Sequence, residues 1–395
     1  MADMASRSAT AVAGELLGLD EDTAARPAFT RSGATADPVV SAAAPAGEDS
    51  FRSAFRLSDE GLVLLDQRAI PERLDEVVAR RGSDVAYYLR LGVARGGPLM
   101  AQAAAYGLAL TAAERADAPA EGRDLELRRT ERALVEARPS SRLVGWAAER
   151  MRGVADSVEP STSGAELAQL LRAEADTIAA HVSASLAAIA GELASALPGA
   201  QDRPLAVLLH GSQGALVGGL VGAGISALAR LRDEGRELRL FVTEGRPFMD
   251  GARLASWELR QADLDHRIIP DAALAWLLAR EELDAVLVSA EWVAANGDVG
   301  ALLGSQAIAG LIAAMPADRA RPRLLVSGLA AARDSRTVDG SAIPVELRPA
   351  RDLSAYLADV PIRASDALVP AADVIPAAAV DALITETDVP AEAGG

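Results

Sequence analysis

Residues 204–219 read PLAVLLHGSQGALVGG. The uninterrupted apolar run Leu205 to Leu209, entered from Pro204 and left through His210-Gly211-Ser212-Gln213-Gly214, predicts a short strand buried on both faces that turns tightly into a helix. The rhythm then repeats downstream. Leu238 to Val242, His266 to Ile269, Ala285 to Ser289 and Arg323 to Ser327 are compact strand-like runs separated by helical runs of ten or more residues. Strands alternating with helices predict a parallel sheet covered on both faces. On such sheets ligands sit beyond the carboxyl ends of the strands, so the loops His210 to Gly214, Glu244 to Gly251 and Ala290 to Asp298 are expected to meet around one crevice.

Upstream the pattern is different. From Phe51 to about residue 200, apolar residues recur three and four apart over Pro71 to Arg80, Asp84 to Leu91, Pro98 to Ala116, Asp124 to Ala137, Arg142 to Val158 and Gly164 to Leu197, after a short strand at Gly61 to Leu65. The expected chain is α/β: a mostly helical N-terminal domain (51–163), a connecting helix (164–200) and a Rossmann-like, doubly wound parallel-sheet C-terminal domain (201–395). Residues 1–50, rich in Ala, Ser, Thr, Gly and Asp, read as a flexible extension with one short helix near Ala11 to Leu17.

The composition narrows the chemistry. The 395 residues include no cysteine, which excludes a disulfide framework, a thiolate metal site and a cysteine nucleophile. Lysine is absent as well, so Schiff-base chemistry and the lysine of a phosphate-binding P-loop are excluded. A formal charge of −17 disfavours a nucleic-acid backbone as partner. The first residues carry Asp3 and Arg7 and lack the uninterrupted apolar core of a signal peptide. The most apolar stretch, Leu205 to Leu228, holds six glycines with His210, Ser212 and Gln213, poor material for a lipid-facing helix. A cytoplasmic protein with no membrane partner is expected.

Several short segments carry chemical potential, each with a plainer alternative. Gly211, Ser212 and Gln213 allow backbone N–H groups to approach an anion at a helix start, or simply form a tight turn. Arg95-Gly96-Gly97-Pro98 and Arg138-Pro139 each set an arginine beside a helix start, a plausible phosphate seat or an ordinary capped turn. Arg246 stands between Glu244 and Asp250, able to pair with either a carboxylate or a ligand. Glu291 follows an apolar strand, and Asn296-Gly297-Asp298 is both polar and a common turn signal. His181, His210 and His266 show no metal-ligand spacing, and neither metal nor cofactor is expected.

Taken together, these segments resemble the family of methylthioribose-1-phosphate isomerases, ribose-1,5-bisphosphate isomerases and the alpha, beta and delta subunits of eukaryotic initiation factor 2B, the isomerase branch being nearer. The resemblance runs from about Leu62 to Val389. Its fingerprints are Leu65-Asp66-Gln67, Arg95-Gly96-Gly97-Pro98 with Ala103-Ala104-Ala105-Tyr106-Gly107, Ala137-Arg138-Pro139, the block Glu244 to Leu259, Ala294 to Asp298, Ile343-Pro344-Val345-Glu346, and Asp373-Val374-Ile375-Pro376 with Ile384-Thr385-Glu386. The resemblance implies an aldose 1-phosphate substrate, isomerised to a ketose 1-phosphate by a cysteine and an aspartate, and a homodimer.

The chain departs from that pattern where the chemistry lies. The cysteine position falls on Gly211, the aspartate position on Glu291, the family's substrate-contacting glutamine on Asp250, and its Asn-Lys pair on Ala301-Leu302. What the resemblance leaves for a phosphorylated small-molecule ligand is Arg95, Gly96, Gly97 and Arg138. Three readings follow: an isomerase-like enzyme on a changed phosphosugar, with Glu291 as acid/base, Asp250 as a possible second and Ser212 nearby; unchanged methylthioribose-1-phosphate isomerase activity; and a non-catalytic member that senses a small ligand or serves in an assembly. In all of them Gly211, Gln213, Arg246, Asn296 and Asp298 are expected to help bind the ligand.

Overall fold

The computed structural model describes residues 53–159, 161–199, 202–356, 363, 365 and 367–386; the extension expected over residues 1–50, with its helix near Ala11, lies outside them. The chain enters through an antiparallel sheet of β1 (Phe55–Ser58), β2 (Gly61–Leu65) and β3 (Glu76–Ala79). The helix expected over Pro71 to Arg80 is therefore corrected. Val77 and Val78 are β-branched and find partners in Leu64 and Val63 of β2, so the spacing that read as helical belongs to a turn followed by a strand.

Five helices follow: α1 (Gly82–Leu91), α2 (Gly97–Glu114), α3 (Ala120–Ala137), α4 (Arg142–Ser157) and α5 (Gly164–Ala196). Helix α2 is Ala-rich and buried on nearly every side, which its small side chains permit as α1, α3, α4 and α5 close around it. Helix α5 is 33 residues long and apolar enough to cross a membrane by length and composition. Its apolar face is instead covered by protein: Leu171, Ile178, Val182, Ile189 and Leu193 are buried where it packs on α2 and on the later helix α7. Burying each such side chain is worth about 1.5–3 kcal/mol.

The second half alternates as its sequence rhythm predicts: β4 (Leu205–Leu209), α6 (Ala215–Gly218), α7 (Ala223–Asp233), β5 (Leu238–Thr243), α8 (Ser256–Gln261), β6 (His266–Ile269), α9 (Leu274–Arg280), β7 (Ala285–Ala294), β8 (Val299–Leu302), α10 (Ser305–Ala313) and β9 (Arg323–Ser327). After β9 come β10 (Arg333–Asp334), β11 (Leu347–Arg348), β12 (Val369–Pro370), β13 (Ala372–Ile375) and β14 (Ala382–Ile384). Six strands pair in parallel in the order β6-β5-β4-β7-β9-β14. Renumbered along this sheet, that is 3-2-1-4-5-6, the doubly wound order, whose direction reverses between β4 and β7.

One expectation changes here. Ala290 to Asp298 is not a loop: β7 runs on to Ala294, pairing antiparallel with β8 on one edge and parallel with the short β10 on the other, and β8 pairs antiparallel with β13. The result is a mixed sheet whose antiparallel flap stands over the carboxyl end of β4, where Leu302 of β8 faces Gly211.

Candidate functional site

A cavity of about 110 Å³ opens at the point where the sheet reverses, between the ends of β4 and β7 and the starts of α2 and α4. Its walls include Arg95, Gly96, Arg138, Gly211, Ser212, Gln213, Asp250 and Glu291. Eight side chains and glycines singled out from the sequence thus converge, drawn from segments nearly two hundred residues apart. Gly97 adjoins them through its N–H.

The loop before α2 is held by Gln67, which is buried. Its Oε1 accepts the Arg95 N–H at 3.2 Å, while its Nε2 donates to the Leu216 carbonyl at 2.7 Å and the Arg95 carbonyl at 3.3 Å. Gly96 completes the fit. With φ near +98° and an added Cβ placed 2.3 Å from Val217 Cβ and 2.6 Å from its carbonyl oxygen, only glycine lets this loop lie against α6.

Arg95 is aimed at Asp250 rather than at open space. Its Nε donates to both carboxylate oxygens at 3.0 and 3.2 Å, and its Nη2 lies 2.9 Å from Oδ2, with Phe248 stacked against the guanidinium 3.7 Å from the ring centre. Both charges are nearly buried, so the pair acts as a closed unit.

Arg138 shares the same depth but not the same fate. The Glu346 carboxylate lies 3.3 Å from its Nε, off the hydrogen-bonding direction, and neither Nε nor Nη1 has a partner. Burial, with Arg95 nearby, lowers its pKa to about 10. Glu346 itself leans towards Arg348, which is bonded to Asp352 at 2.8 Å.

Glu291 bridges the two helix starts. Its Oε1 accepts the Gly97 N–H at 2.9 Å and its Oε2 accepts the Ser141 hydroxyl at 2.8 Å. Burial raises its pKa, a push opposed by those two donors and by Arg138 and Arg95. Across the cavity Ser212 donates to Glu258 Oε2 at 3.0 Å, and the Leu216 N–H donates to Oε1 at 2.7 Å. Burial pushes Glu258 up to about 7 despite these hydrogen bonds. His210 is buried between the Thr243 hydroxyl at 2.9 Å and the Leu303 carbonyl at 3.1 Å, and burial lowers its pKa, keeping the imidazole neutral near pH 7.

Three sequence candidates, Arg246, Asn296 and Asp298, lie away from the cavity. Arg246 is turned away from the cavity: its guanidinium donates to the Leu353 carbonyl and its N–H to Asp271, while the Glu244 carboxylate accepts from the Asp271 N–H. Asn296 and Asp298 form the β7–β8 hairpin turn. Asn296 Nδ2 donates to Asp298 Oδ2 at 2.9 Å, and that carboxylate, held below the usual range first by Asn296, also accepts the Gly340 and Ala377 N–H groups. Their polarity is consumed in the turn. Gln213 does line the cavity, but its Nε2 donates to the Leu287 carbonyl of β7 at 2.7 Å and so ties the loop to the strand.

The sequence reading missed Ser141 and Glu258. Ser141 is three residues beyond Arg138, at the start of α4, a position where a hydroxyl commonly caps a helix and where it here turns to Glu291. Glu258 lies inside the Glu244 to Leu259 block with nothing local to mark it; only the fold sets it under the β4 loop. Among the described residues no three His, Asp or Glu gather where they would hold a metal ion.

Comparison with known proteins agrees with this architecture. The model of the initiation factor 2 subunit family matches residues 93–389. A methylthioribose-1-phosphate isomerase of Herpetosiphon aurantiacus is 35% identical over 333 residues, covering 83% of this chain and 90% of that protein. One from Albidiferax ferrireducens is 33% identical over 85% of this chain and 92% of its own length. Among solved structures, 5-methylthioribose 1-phosphate isomerase from Pyrococcus horikoshii shares the fold with a TM-score of 0.69 at 23% identity, covering 85% of this chain and 92% of its own. The delta subunit of translation initiation factor eIF-2B from A. fulgidus superposes with a TM-score of 0.66 at 25% identity, over 85% of this chain and 95% of that one. With an ordered match over most of its length and relatives above 30% identity, this chain belongs to the initiation factor 2 subunit family.

Proposed function

We propose that the chain is an isomerase that takes a pentose-like sugar bearing a 1-phosphate and converts it to the ketose 1-phosphate, as the names of its methylthioribose-1-phosphate isomerase relatives suggest. The observation that carries this reading is the juxtaposition, in one cavity, of Arg138, a buried guanidinium with unpartnered N–H groups, and Glu291, a carboxyl whose proton affinity burial has raised. The first supplies charge for a phosphate. The second supplies a group able to lend and recover a proton.

The reaction needs no redox partner. The bond from C1 to the ring oxygen breaks as that oxygen gains a proton. The C2 proton then leaves, forming an enol; C1 gains a proton and the C2 hydroxyl loses one, so C2 ends as the ketone and C1 as the phosphate-bearing carbon. Glu291 is the proposed carrier, with Asp250 able to accept a sugar hydroxyl and Ser212, hydrogen-bonded to Glu258, placed to exchange a proton on the opposite wall. The protein is proposed to act in the cytoplasm, as a homodimer.

A panel of aldose 1-phosphates, including methylthioribose 1-phosphate and ribose 1-phosphate, followed by phosphorus and proton NMR, tests the reading. Turnover by the unaltered protein, abolished at least about a hundredfold by Glu291→Gln with the melting transition retained, is expected. No ketose from any of them overturns it.

The closed Arg95–Asp250 pair, with a glycine at position 211, favours a second reading. A site with one cation already neutralised and no thiol suits a ligand-sensing or assembly subunit. Binding of one of these sugars without turnover would decide for it.

A further inference from the structure

The Glu291 carboxylate occupies the place that the two helix starts offer to an anion. Helix α2, 18 residues long, starts at the cavity, and the N–H of Gly97, its one donor there because Pro98 has none, is spent on Glu291 Oε1. The Ser141 hydroxyl, at the start of α4, is spent on Oε2. Arg138, beside them, is over nine-tenths buried and keeps unpartnered N–H groups. Room for the carboxylate is created by glycine: a Cβ on Gly97 would stand 2.5 Å from Glu291 Oε2 and 3.0 Å from Leu143 Cδ1.

We propose that Glu291 is an internal occupant of the phosphate seat, so that binding a phosphate and displacing the Glu291 carboxylate from Gly97 and Ser141 are a single event. The inference rests on the reading that a phosphate-bearing ligand enters this cavity. It adds a regulatory consequence. While the seat is empty of ligand, Glu291 is held by the donors of the seat and its proton-carrying oxygens are engaged; arrival of the phosphate takes those donors and releases the carboxyl to the sugar. Proton transfer is thereby confined to the liganded state, and part of the binding free energy is spent on the exchange.

The charged groups around Glu291 are Arg138, on the loop entering α4, and Arg95, on the loop entering α2 and itself tied to Asp250 after β5. Glu346 and Arg348 stand behind Arg138. None is an anion bonded to Glu291, so the approach of a phosphate is the event that adds negative charge beside it. That charge raises the proton affinity of Glu291 further. Phosphate binding therefore takes up protons, and relative to a variant lacking the carboxyl its affinity falls as pH rises.

The experiment is calorimetry of inorganic phosphate on the full chain, unaltered and as Glu291→Ala and Glu291→Gln, each checked by its melting curve. Removing the internal competitor is expected to tighten phosphate binding by about tenfold or more in Glu291→Ala, and by less in Glu291→Gln, whose amide still fills the space. The pH dependence of the unaltered protein relative to Glu291→Gln is expected to follow the sign above. Unchanged or weaker phosphate binding in a folded variant overturns the proposal, as does absence of binding to all three proteins. The isomerase reading is judged separately: if no sugar is turned over while Glu291→Ala still tightens phosphate, that reading falls and the internal occupant stands.

Discussion

Arg95 and Arg138 reach the same cavity, each from a loop that enters a helix, and each is 7% exposed. Arg95 meets Asp250 through a bidentate ion pair with Phe248 across its face, whereas Arg138 lies 3.3 Å from Glu346 at an angle that makes no hydrogen bond. Equal burial has produced opposite electrostatic states. One guanidinium is part of the wall; the other has a carboxylate nearby but keeps Nε and Nη1 free of hydrogen bonds for a ligand. Burial alone does not identify a binding residue, and what distinguishes the two is whether the fold has already spent their donors.

The largest effect that can break this comparison is on stability. Arg95→Ala strips buried Asp250 of its hydrogen-bonded partner and leaves it only the Arg253 guanidinium at 4.0 Å, and a loss of about 3 kcal/mol in denaturant unfolding is expected. Arg138→Met replaces a cation with no hydrogen bond at Nε or Nη1 by an apolar body of similar reach and leaves Glu346 to Arg348, so a smaller loss than that of Arg95→Ala is expected, with phosphate binding lost. Similar losses in the two variants would show that the guanidiniums are equivalent and that Arg138 has a partner in solution.

A smaller effect sharpens the contrast from the opposite wall. Glu258, at about 7 when folded and about 4.3 in an unfolded chain, binds more protons in the native state. Its contribution is therefore complete at low pH and is lost as pH rises from about 4.3 to about 7, a swing on the order of 3 kcal/mol. Glu258→Gln should flatten the stability profile over that window. His210, whose pKa is lowered, acts with the reverse sign, so the quantity to measure is the difference between variant and unaltered protein in urea midpoints from pH 4.5 to 8. Parallel profiles would show that Glu258 is an ordinary ionised carboxylate.

The sheet was legible because its strands are buried on both faces: all five residues of Leu205–Leu209 are inaccessible, which leaves an unbroken apolar run in the sequence. Val77 and Val78 were not legible as strand, since their register is set by Leu64 and Val63 across a turn, outside any local window. In the site, glycine followed by proline after an arginine marked a helix start, and the structure puts Arg95 there. That Asp250, 155 positions further along the chain, would meet it depends on the fold. Asn296-Gly297-Asp298 shows the converse, polar residues that looked like ligand contacts and are consumed in a hairpin turn because an Asn-Gly step supplies the positive φ it requires. Glu258 carried no local mark and Ser141 only that of a helix cap, for their roles exist only once α4 and α8 are packed against the strand ends.

The third wall of the cavity yields the smallest effect and separates two causes. Gly211 has φ near +77°, and a Cβ there would stand 2.7 Å from Leu302 Cδ2, the far end of a flexible side chain. A side chain at this position therefore meets two costs: the left-handed backbone, about 1–2 kcal/mol, and the displacement of Leu302. Gly211→Ala is expected to lose about 2 kcal/mol in thermal unfolding. In a Leu302→Ala background the steric part disappears and the added loss should fall towards about 1 kcal/mol. If the full penalty persists in that background, backbone conformation alone requires glycine here. If it vanishes, Leu302 is what closes the wall, and the cavity can be reopened to a side chain at 211 without rebuilding the turn.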